Sequence, residues 1–392
     1  MGDNVIVSAA RTPVGSFMGT LAPLPSPQLG AIAIKAALER AGVKPDQVDE
    51  IIMGCVLSGG VGQAPARQAM VLAGLPWKVC ALTINKVCGS GLKAVMLADA
   101  MLTNGDADII VAGGMESMSN APYILPGARQ GYRMGDQKVV DLMIHDGLWD
   151  VYKNCHMGAC ADQLGKEWNI TRKEQDDFAI RSYKRALKSI TDGKFKAEIV
   201  PVEIPQKKGA PVIVAEDEGP RKFREEKMPE LKPAFTKDGG VTAANASSLN
   251  DGGAATVVMS KKKADSLGLK PLARIVGHCS AGRESDWFTI APIDAVKKLF
   301  AKTGYSADKI DLFEINEAFS VQVIAALKEF KLSADKVNVN GGSVAIGHPI
   351  GASGARVLTT LLYAMQDRKA KTGLATLCIG GGEAAAMIVE RI

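Results

Sequence analysis

Two cysteines and one histidine lie in glycine-rich segments that bring a reactive side chain close to backbone amides. Cys88 ends an apolar run and is followed by Gly89–Gly91, a Gly-Ser-Gly turn that opens a helical pattern. At a helix start, the amides and the helix dipole are expected to lower a thiol pKa and to favour a nucleophilic thiolate. A buried, unreactive cysteine is the alternative for this segment taken alone.

Three further segments carry candidate groups. His348 lies between Gly347 and Pro349, so it is predicted on a turn, where acid–base work is favoured over packing. Cys378 is predicted to end a strand, and the three glycines after Ile379 leave backbone amides free to bind an oxyanion. Asn316 is predicted at another strand end, where it is suited to hold a water or a substrate oxygen, although a simple cap is the commoner role.

An internal duplication organises these segments. Three stretches recur in the same order, namely 46–52 as 308–314, 89–91 as 352–354 and 110–114 as 377–381. Their offset drifts only from 262 to 267 residues, which is hard to obtain by chance. The chain is therefore predicted to contain two copies of one unit rather than a series of short repeats.

Strands and helices alternate within each copy. In the first copy, strands are predicted at 5–7, 51–53 and 109–111 and a helix at 92–102. Another helix is predicted to have Ser26 as its N-cap, Pro27 at its first position and Gly42 at its end. Apolar strands that alternate with helices predict an α/β fold with buried mixed or parallel sheets, in which two units pack face to face and share a helical layer.

The domain boundaries follow from the duplication. Residues 1–118 with 250–268 are predicted to form the N-terminal half, 119–249 an inserted loop domain, and 269–392 the C-terminal half. The insertion contains a capping box that starts at Thr171. Its charge-rich stretch at 206–237 is interpreted as a solvated face, with a site for a phosphorylated ligand as the alternative.

The composition limits the class of protein. The 392 residues are 47% hydrophobic, 23% charged and 5% aromatic, as in an ordinary soluble globular protein. No apolar run is long enough for a bilayer, and the start shows no secretory signal, so a cytoplasmic protein is expected. A net charge of +5 fits an anionic small-molecule substrate and is too small for a nucleic-acid partner. Seven cysteines without a Cys-x-x-Cys pair indicate free thiols rather than a structural zinc.

Four motifs resemble those of the thiolase family, in order and over nearly the whole chain. They are Val87–Gly91, Asn316–Phe319, Gly347–Gly354 and Cys378–Gly382. The resemblance implies duplicated αβ units in five layers (α-β-α-β-α), with the insertion as a coenzyme A-binding loop domain. It also implies a homotetramer, a dimer of dimers, joined near 121–140. Within the family, the motifs are most similar to those of the biosynthetic members that form acetoacetyl-CoA.

The resemblance also implies roles for the candidate residues. Cys88 would take an acetyl group from one acetyl-CoA while His348 removes its proton, and Cys378 would deprotonate the methyl group of a second acetyl-CoA. The enolate would then attack the acyl group on Cys88 and form acetoacetyl-CoA, in a reversible Claisen condensation. One oxyanion would be bound by His348 and a water on Asn316, and the other by the backbone amides of Cys88 and Gly380. No metal or prosthetic group is implied, and coenzyme A is only a substrate and product.

Substrate-binding residues follow from the same resemblance. The pantetheine arm would contact Leu148, His156, Met157, Phe235, Ala243, Ser247 and Ala318. Arg221 would bind the adenine and phosphate end, although the sequence around it departs from the usual family pattern. Phe288 and Phe319 would project bulk toward the acyl site, which favours acetyl and acetoacetyl groups and predicts that long 3-ketoacyl chains are poor substrates.

Other functions explain less of the sequence. A degradative 3-ketoacyl-CoA thiolase of broad chain length has the same catalytic set and stays open as the main alternative. A decarboxylating ketoacyl synthase lacks the second cysteine, Cys378. A cysteine hydrolase would use Cys88 and His348 but leaves Cys378 without a purpose, and an inactive acyl-CoA or lipid carrier would not need the complete set.

Overall fold

The computed structural model describes residues 3–392. The strands are β1 Asn4–Arg11, β2 Gly15–Ser16, β3 Glu50–Gly54, β4 Cys80–Ile84, β5 Ile109–Ser117, β6 Tyr123–Ile124, β7 Val140–Asp141, β8 Trp149–Asp150, β9 Cys155–His156, β10 Val202–Ile204, β11 Val212–Val214, β12 Asn250–Ser260, β13 Ala273–Gly282, β14 Leu312–Ile315, β15 Thr372–Ile379 and β16 Glu383–Glu390. The helices are α1 Ser26–Ala41, α2 Pro65–Leu72, α3 Ser90–Asn104, α4 Met157–Glu167, α5 Arg172–Thr191, α6 Lys261–Ser266, α7 Ala291–Thr303, α8 Ser320–Phe330, α9 Ser343–Ile346 and α10 Ile350–Arg368.

The large strands form one mixed sheet in the order β14-β15-β16-β13-β1-β12-β5-β3-β4, with β2 beside β12. In the first half β3 is parallel to β4 and β5, and in the second half β14 is parallel to β15. The halves are joined by a short antiparallel contact in which Val5 pairs with Arg274 and Ile6 with Ala273. The two units therefore contribute the two halves of one continuous sheet.

The duplication extends to single hydrogen bonds. One carboxylate oxygen of Asp49 accepts from the backbone N–H groups of Asp108 and Ile109, at the start of β5. The carboxylate of Asp311, its counterpart, accepts in the same way from two consecutive amides at the start of β15. Each copy therefore uses one aspartate to hold the beginning of its neighbouring strand.

Helices cover the sheet in three layers. Helices α1 and α2 pack on the outer face of the first half, and α7 and α8 on the outer face of the second half. Between the halves, α3 and α10 share one apolar core with strands of both copies. The predicted α-β-α-β-α arrangement with a shared helical layer is confirmed.

The shared layer requires two glycines. A Cβ atom on Gly91 would lie 2.6 Å from the backbone nitrogen of Ala355, and one on Gly354 would lie 2.2 Å from that of Leu92. Backbones can approach this closely only where a side chain is missing. The two glycine-rich motifs thus bring the starts of α3 and α10 into contact, and these starts carry Cys88 and His348.

Most local predictions hold, and one boundary is wrong. Helix α1 ends at Gly42 in the left-handed conformation, as predicted. Its N-cap is Pro25 rather than Ser26, because Pro25 is already extended and Ser26 lies inside the first turn with its hydroxyl 3.8 Å from the Cys55 sulfur.

The insertion adds α4, α5 and three small hairpins. The predicted capping box is present: Glu174 donates its backbone N–H to the Thr171 hydroxyl, and the Glu174 carboxylate accepts from the Thr171 N–H. The domain boundaries drawn from the sequence stay a prediction. Within the described residues, no helix is long and apolar enough to cross a membrane.

Candidate active site

A cleft of about 410 Å³ is lined by both halves and by the insertion. Of the residues singled out in the sequence, its lining includes Cys88, Leu148, His156, Met157, Phe235, Ala243, Ser247, Phe288, Ala318, Phe319, His348 and Gly380. Asn316 and Cys378 are fully buried behind this surface. Asn316 faces the ring of His348, and Cys378 lies close enough to Cys88 for the two thiols to interact electrostatically. The fold therefore gathers residues that are up to 292 positions apart, from Cys88 to Gly380.

Cys88 is presented by a strained turn. Val87 has a φ of 43°, which is rare for a β-branched residue and costs of order 1–3 kcal/mol. The Ser90 hydroxyl supports the turn because it accepts from the Lys86 N–H at 2.8 Å and donates to the Val87 carbonyl at 2.7 Å. Backbone strain held by surrounding bonds at a candidate nucleophile is a typical active-site feature.

The expected lowering of the Cys88 pKa is wrong. Burial raises the pKa of Cys88 to about 11, although the backbone N–H groups of Gly380 and of Cys88 itself point at the sulfur and act in the opposite direction. Desolvation of the thiolate outweighs these donors. Cys88 is thus a thiol at neutral pH and needs a base to become a nucleophile.

His348 is suited to be that base. Burial, together with the positive charge of Arg356, lowers the pKa of His348 to about 3, so the imidazole is neutral. Its Nδ1 lies 2.5 Å from the Ser353 hydroxyl, and its backbone N–H donates to the side chain of Asn250 at 2.8 Å. The turn between α9 and α10 holds the ring, as the sequence predicted.

The Asn316 side chain is oriented by a short chain of buried groups. Arg356 donates to the Ser343 hydroxyl at 2.6 Å, and this hydroxyl donates to Asn316 Oδ1 at 2.6 Å. Because Oδ1 is engaged as the acceptor, the amide nitrogen Nδ2 faces His348 Nε2, 3.5 Å away. The side-chain nitrogen of Asn316 and Nε2 of His348 therefore lie next to each other in the site.

Cys378 occupies the end of β15. Its sulfur donates to the side-chain oxygen of Gln322 at 3.1 Å. Burial raises the pKa of Cys378 well above the usual value, and the nearby Cys88 thiol adds to this effect. Cys88 and Cys378 therefore both have raised pKa values, and the two side chains are close enough to influence each other's ionisation.

An aromatic wall lines the cleft. The Phe235 ring stacks on His156 with centroids 4.5 Å apart and meets the edge of Phe319 at 6.2 Å. Phe319 in turn packs edge-on against Phe288 at 6.4 Å. Phe288 and Phe319 are both buried, so they close one side of the cleft with two large rings.

Arg221 is not among the residues that line this cleft, and its assignment to the adenine and phosphate end of coenzyme A stays a prediction. Arg221 lies on a short exposed turn, Pro220–Lys222, and forms an ion pair of 2.7 Å with Glu216. A Cβ atom on Gly219, just before this turn, would lie 2.5 Å from the Ala345 carbonyl oxygen, so the turn packs beside α9. Ser247, in contrast, donates its N–H to the Ala318 carbonyl at 2.9 Å and is part of the wall.

The sequence interpretation missed several supporting residues. Glu116 is fully buried, and its carboxylate accepts from the N–H groups of Val56, Leu57 and Gly351, which ties the loop after β3 to α10. Burial raises the pKa of Glu116 to about 7. A charged residue inside an otherwise small and apolar helix was the available signal for Arg356, and a lone carboxylate inside the buried strand β5 was the signal for Glu116.

No candidate metal centre accompanies the site. Among residues 3–392, no group of three or more His, Cys, Asp or Glu side chains is arranged to hold a metal ion.

Comparisons with known proteins agree with this geometry. Residues 4–262 match the family model "Thiolase, N-terminal domain", and residues 269–391 match "Thiolase, C-terminal domain". The acetyl-CoA acetyltransferases of Cupriavidus necator and Pseudomonas aeruginosa are 58% and 53% identical, and each match spans 100% of both chains. An acetyl-CoA acetyltransferase of Gibberella zeae, named as cytosolic, is 50% identical over 99% of this chain and 98% of the relative. The chain therefore belongs to the thiolase family.

Proposed function

We propose that the protein is an acetyl-CoA acetyltransferase that condenses two acetyl-CoA molecules reversibly into acetoacetyl-CoA and coenzyme A. The observation that carries this proposal is the convergence of two thiols, Cys88 and Cys378, with a neutral imidazole at one cleft. The full-length relatives that bear this name support it, and they do not favour the broad degradative thiolase.

The first half-reaction acetylates Cys88. His348 Nε2 takes the thiol proton, and the Cys88 sulfur attacks the thioester carbonyl of the first acetyl-CoA. When the carbon–sulfur bond to coenzyme A breaks, the leaving thiolate needs a proton. The Cys378 thiol is suited to donate it, because its sulfur carries a proton in the resting protein. This step leaves an acetyl-cysteine and a Cys378 thiolate.

The second half-reaction forms the carbon–carbon bond. The Cys378 thiolate removes a proton from the methyl group of the second acetyl-CoA, and the enolate attacks the acetyl carbonyl on Cys88. The Cys88 sulfur leaves and recovers the proton held by His348. The bonds and protons balance, so the same steps in reverse describe thiolysis.

Two oxyanions are stabilised along this path. The amides of Cys88 and Gly380, which already point at the Cys88 sulfur, are placed to bind the oxygen that develops on its acyl group. The enolate oxygen is assigned to His348 and a water held by Asn316. The Nδ2 atom of Asn316 and the Nε2 atom of His348 lie 3.5 Å apart. Loss of one such donor typically costs about 10²- to 10³-fold in rate.

The proposed binding site for coenzyme A is the aromatic and apolar wall. Leu148, Met157, Phe235 and Ala243 would contact the pantetheine arm, and Ser247 would hydrogen-bond it. Phe288 and Phe319 would restrict the acyl end to acetyl and acetoacetyl groups. We propose no metal and no prosthetic group, because side chains, backbone amides and one bound water account for each proton transfer and each oxyanion. Turnover is expected to survive dialysis against a chelator.

A thiolysis assay tests the function. Acetoacetyl-CoA is mixed with coenzyme A and the loss of its absorbance is followed, beside a sample of 3-ketodecanoyl-CoA. Fast turnover of the four-carbon substrate alone is expected. Equal turnover of both would instead indicate a broad degradative thiolase, and turnover of neither would indicate an acyl-CoA carrier.

Assembly and compartment belong to the same proposal. We infer a homotetramer, because segment 121–140 exposes apolar side chains at Tyr123, Leu125, Met134 and Val139. A cytoplasmic location is supported by the cytosolic relative and by the seven cysteines, all free thiols, as in a reducing compartment. A role in fatty acid metabolism would follow from the proposed acetyl-CoA chemistry. Sedimentation velocity and cell fractionation test these two points.

A further inference from the structure

Gln322, on α8, bridges two residues of the candidate active site. Its side chain is buried, with about 1% of the residue exposed. The amide nitrogen Nε2 donates to the Asn316 backbone carbonyl at 3.1 Å, and the amide oxygen Oε1 accepts from the Cys378 sulfur at 3.1 Å. A single side chain thus connects the strand end that carries Asn316 with the second thiol.

The amide of Gln322 has only one workable orientation. A backbone carbonyl can only accept a hydrogen bond, so the side-chain atom opposite Asn316 O must be the NH₂ group. Oε1 must then face Cys378. Because a carbonyl oxygen also only accepts, the sulfur can satisfy this contact only as an S–H donor.

Gln322 offers no hydrogen-bond donor that would stabilise the negative charge of a Cys378 thiolate. A rotation of the amide by half a turn would offer an N–H to the sulfur, but it would place Oε1 against the Asn316 carbonyl. Two buried oxygens in contact lose a hydrogen bond and repel each other. The bridge therefore favours the neutral thiol over the thiolate.

We infer that Gln322 is a positioning residue that keeps the proton on Cys378 until coenzyme A leaves and that makes the resulting thiolate a strong base. This inference rests on the proposed function, in which Cys378 first donates a proton to the leaving thiolate and then removes one from a methyl group. Gln322 serves both steps. It holds the proton on the sulfur until the S–H bond turns from Oε1 toward the leaving thiolate. Afterwards it offers the sulfur no donor that would weaken it as a base.

Infrared spectroscopy of the S–H stretch tests the bridge without any turnover. The band of Cys378 is obtained as the difference between the wild type and Cys378→Ser at neutral pH. Cys279 supplies a matched reference, because its thiol donates to the Ala295 carbonyl at 3.0 Å and is read from the wild type minus Cys279→Ala. The Cys378 band is expected at a frequency similar to that of this reference. Absence of the band, which means a thiolate, or a frequency typical of a free thiol would overturn the inference.

Two substitutions of Gln322 separate hydrogen bonding from packing. Gln322→Met has similar length and removes both the donor to the Asn316 carbonyl and the acceptor for the thiol, so the Cys378 band is expected to move to higher frequency. Gln322→Glu is expected to leave the band in place, since a buried, protonated carboxyl can donate to Asn316 O and still accept from the thiol. Equal frequencies in Gln322→Met and wild type would contradict the inference.

Steady-state kinetics add the functional readout. Gln322→Met loses both hydrogen bonds of the amide, and only the bond to Cys378 acts on the proton transfer. In thiolysis of acetoacetyl-CoA, this variant is therefore expected to lower kcat roughly five- to tenfold with little change in KM for coenzyme A. Gln322→Glu should stay within about twofold of wild type near neutral pH. Equal losses in both variants would indicate a packing role and overturn the inference. Lack of turnover by the wild type would instead contradict the proposed function, whereas the infrared result does not depend on it.

Discussion

The Ser353 hydroxyl lies 2.5 Å from His348 Nδ1 and itself donates to the Pro349 carbonyl at 2.8 Å. Because its one proton is used in that bond, the hydroxyl accepts from His348, and the imidazole proton is assigned to Nδ1. Nε2 is consequently left without a proton, as a base requires. Ser353 thus selects the tautomer of the residue that deprotonates Cys88.

Removal of this hydroxyl should impair the base. In Ser353→Ala the other tautomer of His348 becomes accessible, so kcat for thiolysis is expected to fall roughly tenfold or more, with KM nearly unchanged. Thr359→Val is the matched control on the same helix, because the Thr359 hydroxyl is buried and has no hydrogen-bond partner among residues 3–392. A Ser353→Ala variant with wild-type kcat would refute the assignment of the tautomer.

The raised pKa of Cys88, about 11, predicts the pH dependence of its alkylation. Only the thiolate reacts, so the rate with iodoacetamide should rise about tenfold per pH unit from about pH 7 to pH 10. Peptide mass spectrometry follows Cys88, and the exposed Cys80 in the same digest reports on the reagent. A rate that is already constant from about pH 6 would mean a preformed thiolate and would contradict the effect of burial.

The two cysteines are predicted to have different roles. After incubation with radiolabelled acetyl-CoA, Cys378→Ser should still retain an acetyl group on the protein, whereas Cys88→Ser should retain none. The reason is that only Cys88 forms the covalent bond, while Cys378 only transfers protons. Label on Cys88→Ser would show that the assignment is reversed.

Phe288 is predicted to limit acyl-chain length. Its ring is buried against Phe319, so Phe288→Ala opens space beside the proposed acyl site. The kcat/KM ratio of 3-ketodecanoyl-CoA to acetoacetyl-CoA should rise about tenfold, at a stability cost of about 3 kcal/mol. Phe300→Ala removes a ring from the Phe300–Phe330 pair, which lies outside the cleft lining, and should leave the ratio unchanged. An unchanged ratio in Phe288→Ala would locate the limit elsewhere.

Local features of the fold were readable from the sequence. Apolar runs identified β1, β3 and β5, glycine at position 42 identified the end of α1, and the capping box at Thr171 identified the start of α5. These signals are local, because strand periodicity and turn chemistry act over a few neighbouring residues. The duplication and the four motifs also placed Cys88, His348, Asn316 and Cys378 as candidates, since glycine and a reactive side chain in one turn limit what the backbone can do there.

Only the tertiary structure decided how these residues behave. The ionisation of Cys88 depends on how many protein atoms replace water around its sulfur, and neighbours in sequence do not determine that number. The orientation of Asn316 depends on Ser343 and Arg356, 27 and 40 positions away. The packing of the Pro220–Lys222 turn beside α9 is likewise a long-range contact that no local pattern indicates. Residue types and spacing determined which groups are present, whereas burial and long-range contacts determined their protonation, orientation and place.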